Sequence, residues 1–502
     1  MSIAAKGEIT MKPDTRNKNA SIYLILLAVG LLLLFVLTGC QSEPSLPEPD
    51  NPSQSHDTTP ADDNQETAPA GDNNIDEGPL PAATDKLLLY IDPARITTME
   101  QAIAIFKDRF PDVDVEIHDF EGNQQDGDMG WTDRFIYTET LQDDLLVGNG
   151  PDLITFDVND FLDINKTIMN TDLFFDMEPL MQADPDFTYD DYVQSAFDAG
   201  MLHGRRLYIP LNYMMFVFFT TEESLERNNL TLGSRPGFEE LMEQAGNYCE
   251  AGEAGGDRRL FQMRLGMDMI FPFSGRELLD YENYAVKVAG DDFRMIMEAF
   301  KRVYETDKNT TPAFASGADE EARMHLDQQT LFTYHTSSNS FVGTYSAVSS
   351  VETPVWFPFP TQSGIPVAHN IDLAAIRNNT PNVRNAYEFL KILLEEEMQN
   401  ATLTPWYPVN IAALRARPFY YSENHTESYG AAFDGMPLTQ VPDEVLDELV
   451  NYAIGARALQ TFIPRYVRDM IYEEMTPFFK GNQDYEECLA SLENRLLIYI
   501  GE

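Results

Sequence analysis

The chain has 502 residues, 43% of them hydrophobic, which suits a globular chain with room for two or more domains rather than a polytopic membrane protein. Its 82 Asp and Glu outnumber 34 Lys and Arg, leaving a formal charge of −48. That field repels nucleic acid and anionic lipid headgroups, so attachment to a membrane would require a hydrophobic anchor. The three cysteines, Cys40, Cys249 and Cys488, form neither a Cys-x-x-Cys pair nor a zinc-type cluster, which argues against thiolate-metal and redox chemistry.

Lys6, Lys12, Arg16 and Lys18 precede an apolar run from Ile22 to Leu37, the charged and apolar regions of a secretory signal. As a helix the run would span roughly 24 Å, short for a bilayer crossing. It ends in Leu37-Thr38-Gly39-Cys40, a tetrad that resembles the bacterial lipobox. The resemblance implies that residues 1–39 are a lipoprotein signal peptide and that Cys40 becomes a diacylglyceryl-modified first residue, anchored to the membrane without spanning it. Residues 41–84 contain no Phe, Tyr or Trp and no Lys or Arg, and are dense in Pro, Asp, Glu, Ser and Thr. Such a segment buries too little apolar surface to offset ordering entropy, so residues 40–84 are expected to form an acidic, disordered tether.

The composition changes at Asp85. Leu87-Leu88-Leu89-Tyr90-Ile91 is an apolar run of strand length, as expected for a strand covered on both faces. Thr97 and Glu100 have capping-box spacing, Met99, Ile103, Phe106 and Phe110 follow at helical spacing, and Pro111 stops the helix. Val113, Val115 and Ile117 alternate with polar residues, a period-two strand. A helix over 133–147 runs into Gly148-Asn149-Gly150-Pro151, and Leu153-Ile154-Thr155-Phe156 reads as a third strand. This alternation implies an α/β chain with a mostly parallel sheet flanked by helices.

Helical patterns dominate the second half, near 383–399, 443–462, 465–475 and 484–500. In the last, Cys488 shares a face with Leu489, Leu492 and Leu496, favouring a buried thiol over a bridge to Cys249, although an oxidising compartment leaves the bridge open. The Met263, Met267 and Met269 patch sits among Leu265, Ile270 and Phe271 and reads as packing rather than a soft-metal site. The acidic clusters Asp126–Asp128 and Asp184–Asp191 lack the Gly and terminal Glu of a calcium loop, and the second is expected to start a helix before Tyr192 and Val193. Neither a Gly-x-Ser-x-Gly elbow, a His-Glu-x-x-His pair nor a phosphate loop occurs, and no cofactor or metal is expected.

Six short signatures in order carry a resemblance to the family 1 extracellular solute-binding proteins of ABC importers, over residues 85–502. They are Phe106-Lys107-Asp108-Arg109-Phe110-Pro111, Gly148-Asn149-Gly150-Pro151-Asp152-Leu153-Ile154, Gly204-Arg205-Arg206-Leu207-Tyr208-Ile209-Pro210, Trp356-Phe357-Pro358-Phe359-Pro360, Asn385-Ala386-Tyr387-Glu388-Phe389-Leu390-Lys391, and Tyr407-Pro408-Val409-Asn410. Two departures stand out: an insertion over 121–132, and Tyr334-His335-Thr336-Ser337-Ser338 where that family carries Gly-x-Trp. The resemblance implies a two-lobed periplasmic-binding-protein-like fold of type II, each lobe a mostly parallel sheet flanked by helices, hinged by crossing strands, with the ligand in the cleft. One lobe would combine 85–213 with 355–405, the other 214–354 with 406–502. It also implies a monomeric receptor on the extracytoplasmic face of a bacterial membrane, capturing a carbohydrate for ABC permease subunits. A polysaccharide-degrading enzyme on the same tether, or a sensor of the same fold, is the alternative.

Sugars offer apolar ring faces and many hydroxyls, which aromatic faces, carboxylates and amides match. Strand ends and hinge-adjacent loops face the cleft in open α/β lobes. The expected ligand contacts are therefore Asp157 after the third strand, Asn212 and Tyr213 at the first crossover, and Tyr334, His335 and Ser337 after a later strand. Trp406 and Tyr407 beside the second crossover complete the set. Trp131 is a weaker candidate, and Trp356, wedged among prolines, is expected to be structural.

Overall fold

The computed structural model describes residues 82–91, 96–119, 131–157, 173–233, 235–250, 259–261, 277–281, 283–309, 318–361, 363–401, 406–424, 433, 435–459 and 465–501. The signal, Cys40, most of the tether, the Asp126–Asp128 cluster, the 121–130 part of the insertion, the Met263–Met269 patch and the Trp131 side chain lie outside them.

Strand β1 (Lys86–Ile91) pairs in parallel with β2 (Asp114–Asp119) along its whole length and with β3 (Leu153–Asp157) through Leu89 and Leu153. Leu87 and Leu89 are fully buried, whereas Ile117 is 42% exposed because β2 forms the sheet edge. Helix α1 (Ile96–Arg109) buries Met99, Ala102, Ile103 and Phe106. It begins one residue before Thr97, which therefore lies in the first turn instead of capping it. Helix α2 (Trp131–Leu146) gives way to β3 through Gly148 and Gly150, whose φ angles of 78° and 103° suit glycine.

After the short helices α3 (Glu178–Ala183) and α4 (Gln194–Asp198), three strands follow with single residues between them. These are β4 (Ile209–Pro210), β5 (Asn212–Met215) and β6 (Val217–Thr221). Next come α5 (Glu222–Arg227), capped by Thr221, α6 (Phe238–Glu250), β7 (Arg259–Phe261), α7 (Asp291–Asn309), α8 (Ala318–Leu326), β8 (Thr330–His335) and α9 (Ser338–Val348). The chain returns through β9 (Pro354–Pro358), β10 (Val367–Asn370) and β11 (Asp372–Ile376). Helices α10 (Val383–Leu394) and α11 (Glu396–Ala401), strand β12 (Tyr407–Pro408), α12 (Ile411–Glu423), α13 (Asp443–Ile454), β13 (Arg457–Leu459), α14 (Arg465–Phe479) and α15 (Tyr485–Gly501) complete it. Two expected helices are shorter than their patterns: extended backbone at Glu395 separates α10 from α11, and Gly455 ends α13 before β13.

Three sheets organise these strands, in the orders β2-β1-β3-β11-β4, β9-β6-β8-β7 and β12-β5-β10-β13. The first two are the sheets of the α/β halves; the third lies where the chain crosses between them. The outgoing leg β4–β5–β6 and the returning leg β9–β10–β11 run in opposite directions, so β11 meets β3 and β4, β10 meets β5, and β9 meets β6 antiparallel. This corrects the expectation of mostly parallel sheets. Among the described residues parallel pairing is confined to β1 with β2 and β3, β7 with β8, and β10 with β13, because crossing strands supply the rest.

Strand alternation sends Tyr213, Met215 and Ala368 of the crossing sheet into one buried cluster and Met214 into another. Cys488 is buried and Cys249 half-buried, and no disulfide joins them. Among the described residues no helix is long and apolar enough to cross a membrane.

Candidate functional site

The crossing places the carboxyl end of β3 beside the junctions β4–β5 and β10–β11. At that point Leu211 N donates to Asp372 O at 2.7 Å and Ile371 N to Asn212 O at 3.1 Å. Asn212 Nδ2 donates to the Asp372 carboxylate, and Asn212 Oδ1 accepts from Asp372 N at 3.2 Å. Both side chains are buried, so Asn212 is a clip between the two legs rather than a surface group awaiting a ligand. Asp157, the last residue of β3, lies opposite Asp372 in the ladder and stays half-buried.

Tyr213 and Tyr407, each expected as a ligand contact, instead pack against one another in the interior. Their rings stack at 5.9 Å, both are at most 1% exposed, and Tyr213 Oη donates to Ala453 O at 2.9 Å. Burial pushes both phenols well above their ordinary range. Tyr334, His335 and Ser337 are also committed to the interior. Tyr334 packs 4.9 Å from Phe216. His335 Nδ1 lies 3.0 Å from Glu321 Oε2 and 3.1 Å from Ser340 Oγ, and Ser337 caps α9 by accepting from Ser340 N at 3.2 Å. The sheet carrying β8 is covered on both faces, so neither side of that strand end is free for a guest.

Trp406 is half-buried against the second cluster, next to β12 at the edge of the crossing sheet. Trp356 is structural, edge-on to Phe341 at 5.2 Å and to Tyr452 at 5.8 Å. The acidic stretch from Asp184 caps no helix: it forms a short 3-10 turn over Tyr189–Asp191, and α4 starts only at Gln194 with no side-chain cap. Asp184 is instead a buried ion pair with Lys391 at 2.7 Å. Burial pushes its carboxyl up, but the Lys391 ammonium and the Asp186 amide outweigh that and hold it below the ordinary range. Among the described residues no cluster of His, Cys, Asp and Glu has the arrangement of a metal site.

Two features were absent from the sequence expectation. Tyr466, in the first turn of α14, is a 62% exposed aromatic face. Its sequence signal was an aromatic at a helix start in the C-terminal segment. Gln399, Asn410 and Arg417 form a buried polar clasp around Trp406–Asn410, with donors and acceptors up to 18 residues apart.

No protein-family model matches the sequence, and no curated protein matches it. Solved structures do match in three dimensions. The sugar-binding protein MalE from Xanthomonas citri aligns with TM-score 0.59 at 11% identity, covering 83% of this chain and 97% of that one. An extracellular solute-binding protein family 1 from Alicyclobacillus acidocaldarius aligns with TM-score 0.57 at 11% identity, over 84% and 100%. The cyclic α-maltosyl-1,6-maltose binding protein from Arthrobacter globiformis gives 0.55 at 15%, over 84% and 99%. Identity this low defines the fold: that of the two-lobed periplasmic binding proteins. The resemblance carried by the six signatures holds at that level.

Proposed function

We propose that the chain is an extracytoplasmic substrate-binding lipoprotein of an ABC importer, taking a carbohydrate, an oligosaccharide by preference, into a cleft between two lobes. The observation that carries this is the crossing: two antiparallel legs and a third segment, β12, link two separate sheets, in a fold otherwise shared nearly end to end with sugar-binding proteins. A ligand touching both lobes supplies the differential affinity that shifts open to closed. The lobes are 85–213 with 355–405, and 214–354 with 406–502. Cys40 is the lipid anchor, residues 41–84 the tether, and the closed form is what permease subunits receive. The chain acts as a monomer and performs no chemistry on its guest.

The contact set follows the placement of side chains. Asp157 and Trp406, both only half-buried, are the polar and stacking groups assigned to the cleft on this reading. Asn212, Tyr213, Tyr407, Tyr334, His335 and Ser337 shape the crossing and the second sheet from within. A thermal-shift screen over mono- and oligosaccharides, with product analysis by mass spectrometry, tests the function. A binding sugar raises the melting temperature by mass action and is recovered intact. Glycan cleavage, or a melting temperature that no sugar moves, overturns it.

A further inference from the structure

Three buried polar side chains, Gln399, Asn410 and Arg417, bind backbone in the described segments on either side of residues 402–405. Gln399 Oε1 accepts from Val409 N at 3.0 Å, and its Nε2 donates to Leu393 O at 2.9 Å. Asn410 caps α12 by accepting from Ala413 N at 3.1 Å and donates to Leu394 O at 3.2 Å. Arg417 reaches back from α12, donating Nη1 to Trp406 O at 2.9 Å and Nη2 to Gln399 O. Its fork thus ties these two segments together, directly at the backbone of Trp406.

A buried guanidinium is a costly way to hold backbone, since the charge gives up its solvation by water. Burial indeed pulls the Arg417 guanidinium below its ordinary range. An apolar side chain would fill the same space. What it would not do is fix two carbonyls in one plane, which the planar fork does and a lysine ammonium, a point charge, does not.

We propose that Arg417 is a positioning residue for Trp406: it pins the Trp406 backbone so that the indole is held at one orientation beside the crossing. This rests on the sugar reading only for the purpose of that indole, which is to stack on a sugar ring. A stacking face must be held to within a fraction of an ångström and a few tens of degrees to contribute fully.

The test uses the mature full-length chain carrying Trp131→Phe and Trp356→Phe, so that Trp406 is the sole indole. Fluorescence emission and acrylamide quenching are read without ligand, and maltotriose affinity is read by calorimetry. Arg417→Met is expected to shift Trp406 emission to the red, raise its quenching and weaken maltotriose binding on the order of tenfold. Arg417→Lys is expected to fall between the parent and Arg417→Met on each measure, and it decides the matter if the Met variant fails to fold. Leu141→Ala, a truncation in helix α2 within a separate buried cluster, is expected to lower the melting temperature while leaving Trp406 emission as in the parent. Unchanged emission and quenching in the foldable Arg417 variants overturn the proposal, as does an equal shift in Leu141→Ala. If the parent binds no glycan, the sugar reading falls, while an emission shift in the Arg417 variants still supports the pinning of the ring.

Discussion

The two ends of the crossing are built from opposite materials. Toward the second sheet, Phe216 bridges β5 and β6, Phe359 N donates to its carbonyl at 2.9 Å, and Phe218 stacks on Phe357 at 5.8 Å with rings 8° apart. Toward the first sheet, the junction is the Asn212–Asp372 clip, with Asp157 opposite in the ladder. Apolar interlock is strong but tolerant of small shifts, because dispersion is spread over many contacts. Hydrogen bonds to a buried carboxylate are directional and hold one geometry. The aromatic end therefore anchors the legs, and the polar end sets their register where β3 delivers Asp157. Aromatic density at this crossing marks packing.

The largest expected effect tests the anchoring end. Phe218→Ala removes a fully buried ring shared with Phe261, Phe357 and Phe359, and is expected to destabilise by about 3–5 kcal/mol in urea unfolding. A loss under about 1 kcal/mol would break the contrast.

Acid should act at the same end. His325 Nε2 sits 3.2 Å from Thr221 Oγ1, and burial pulls the imidazole down to about 4, with Glu352 opposing and Arg227 and His335 reinforcing. Above about pH 6.5 both folded and unfolded chains hold it neutral. Between there and about pH 4 only the unfolded chain takes the proton, so stability falls as pH falls, by about 3 kcal/mol in all. The difference between wild type and His325→Gln, followed by urea unfolding across that window, should shrink toward low pH. A constant difference would remove His325 as the cause.

At the register end, Asn212→Ala strips a buried partner from Asp372. The expected loss is about 2 kcal/mol, in the range for hydrogen bonds to charged groups. Asn212→Asp should be worse, since it sets two carboxylates against each other. A neutral result for both would mean that backbone pairing alone sets the register.

The parts legible in sequence were those written in local periodicity. The run Leu87–Ile91, the helical spacing of Met99 to Phe106 and the glycines before Leu153 placed β1, α1, α2 and β3 within a residue or two. Strand direction was not legible, because β11 pairs with β3 through residues more than two hundred positions apart. The clip was half legible: Asn212 stood out after Ile209-Pro210, but Asp372, 160 residues on, did not. Tyr334 and His335 were misjudged for a different reason. A strand end faces a cleft only if one face is open, and alternation sends these two to opposite faces of a sheet covered on both.

The mildest effect on the fold is expected from Trp406→Ala. The indole is half-buried at an edge strand, so its truncation should change unfolding free energy by no more than about 1 kcal/mol, well below Phe218→Ala. Its effect on binding should be larger than its effect on stability, about 1–3 kcal/mol, because a stacking face contributes through ring area and orientation. Calorimetry against the best sugar from the thermal-shift screen, with urea unfolding alongside, separates the two. Affinity lost with the fold preserved is the mark of a ligand contact. Stability lost with affinity preserved would return Trp406 to a packing role like that of Phe218 and remove it from the proposed site.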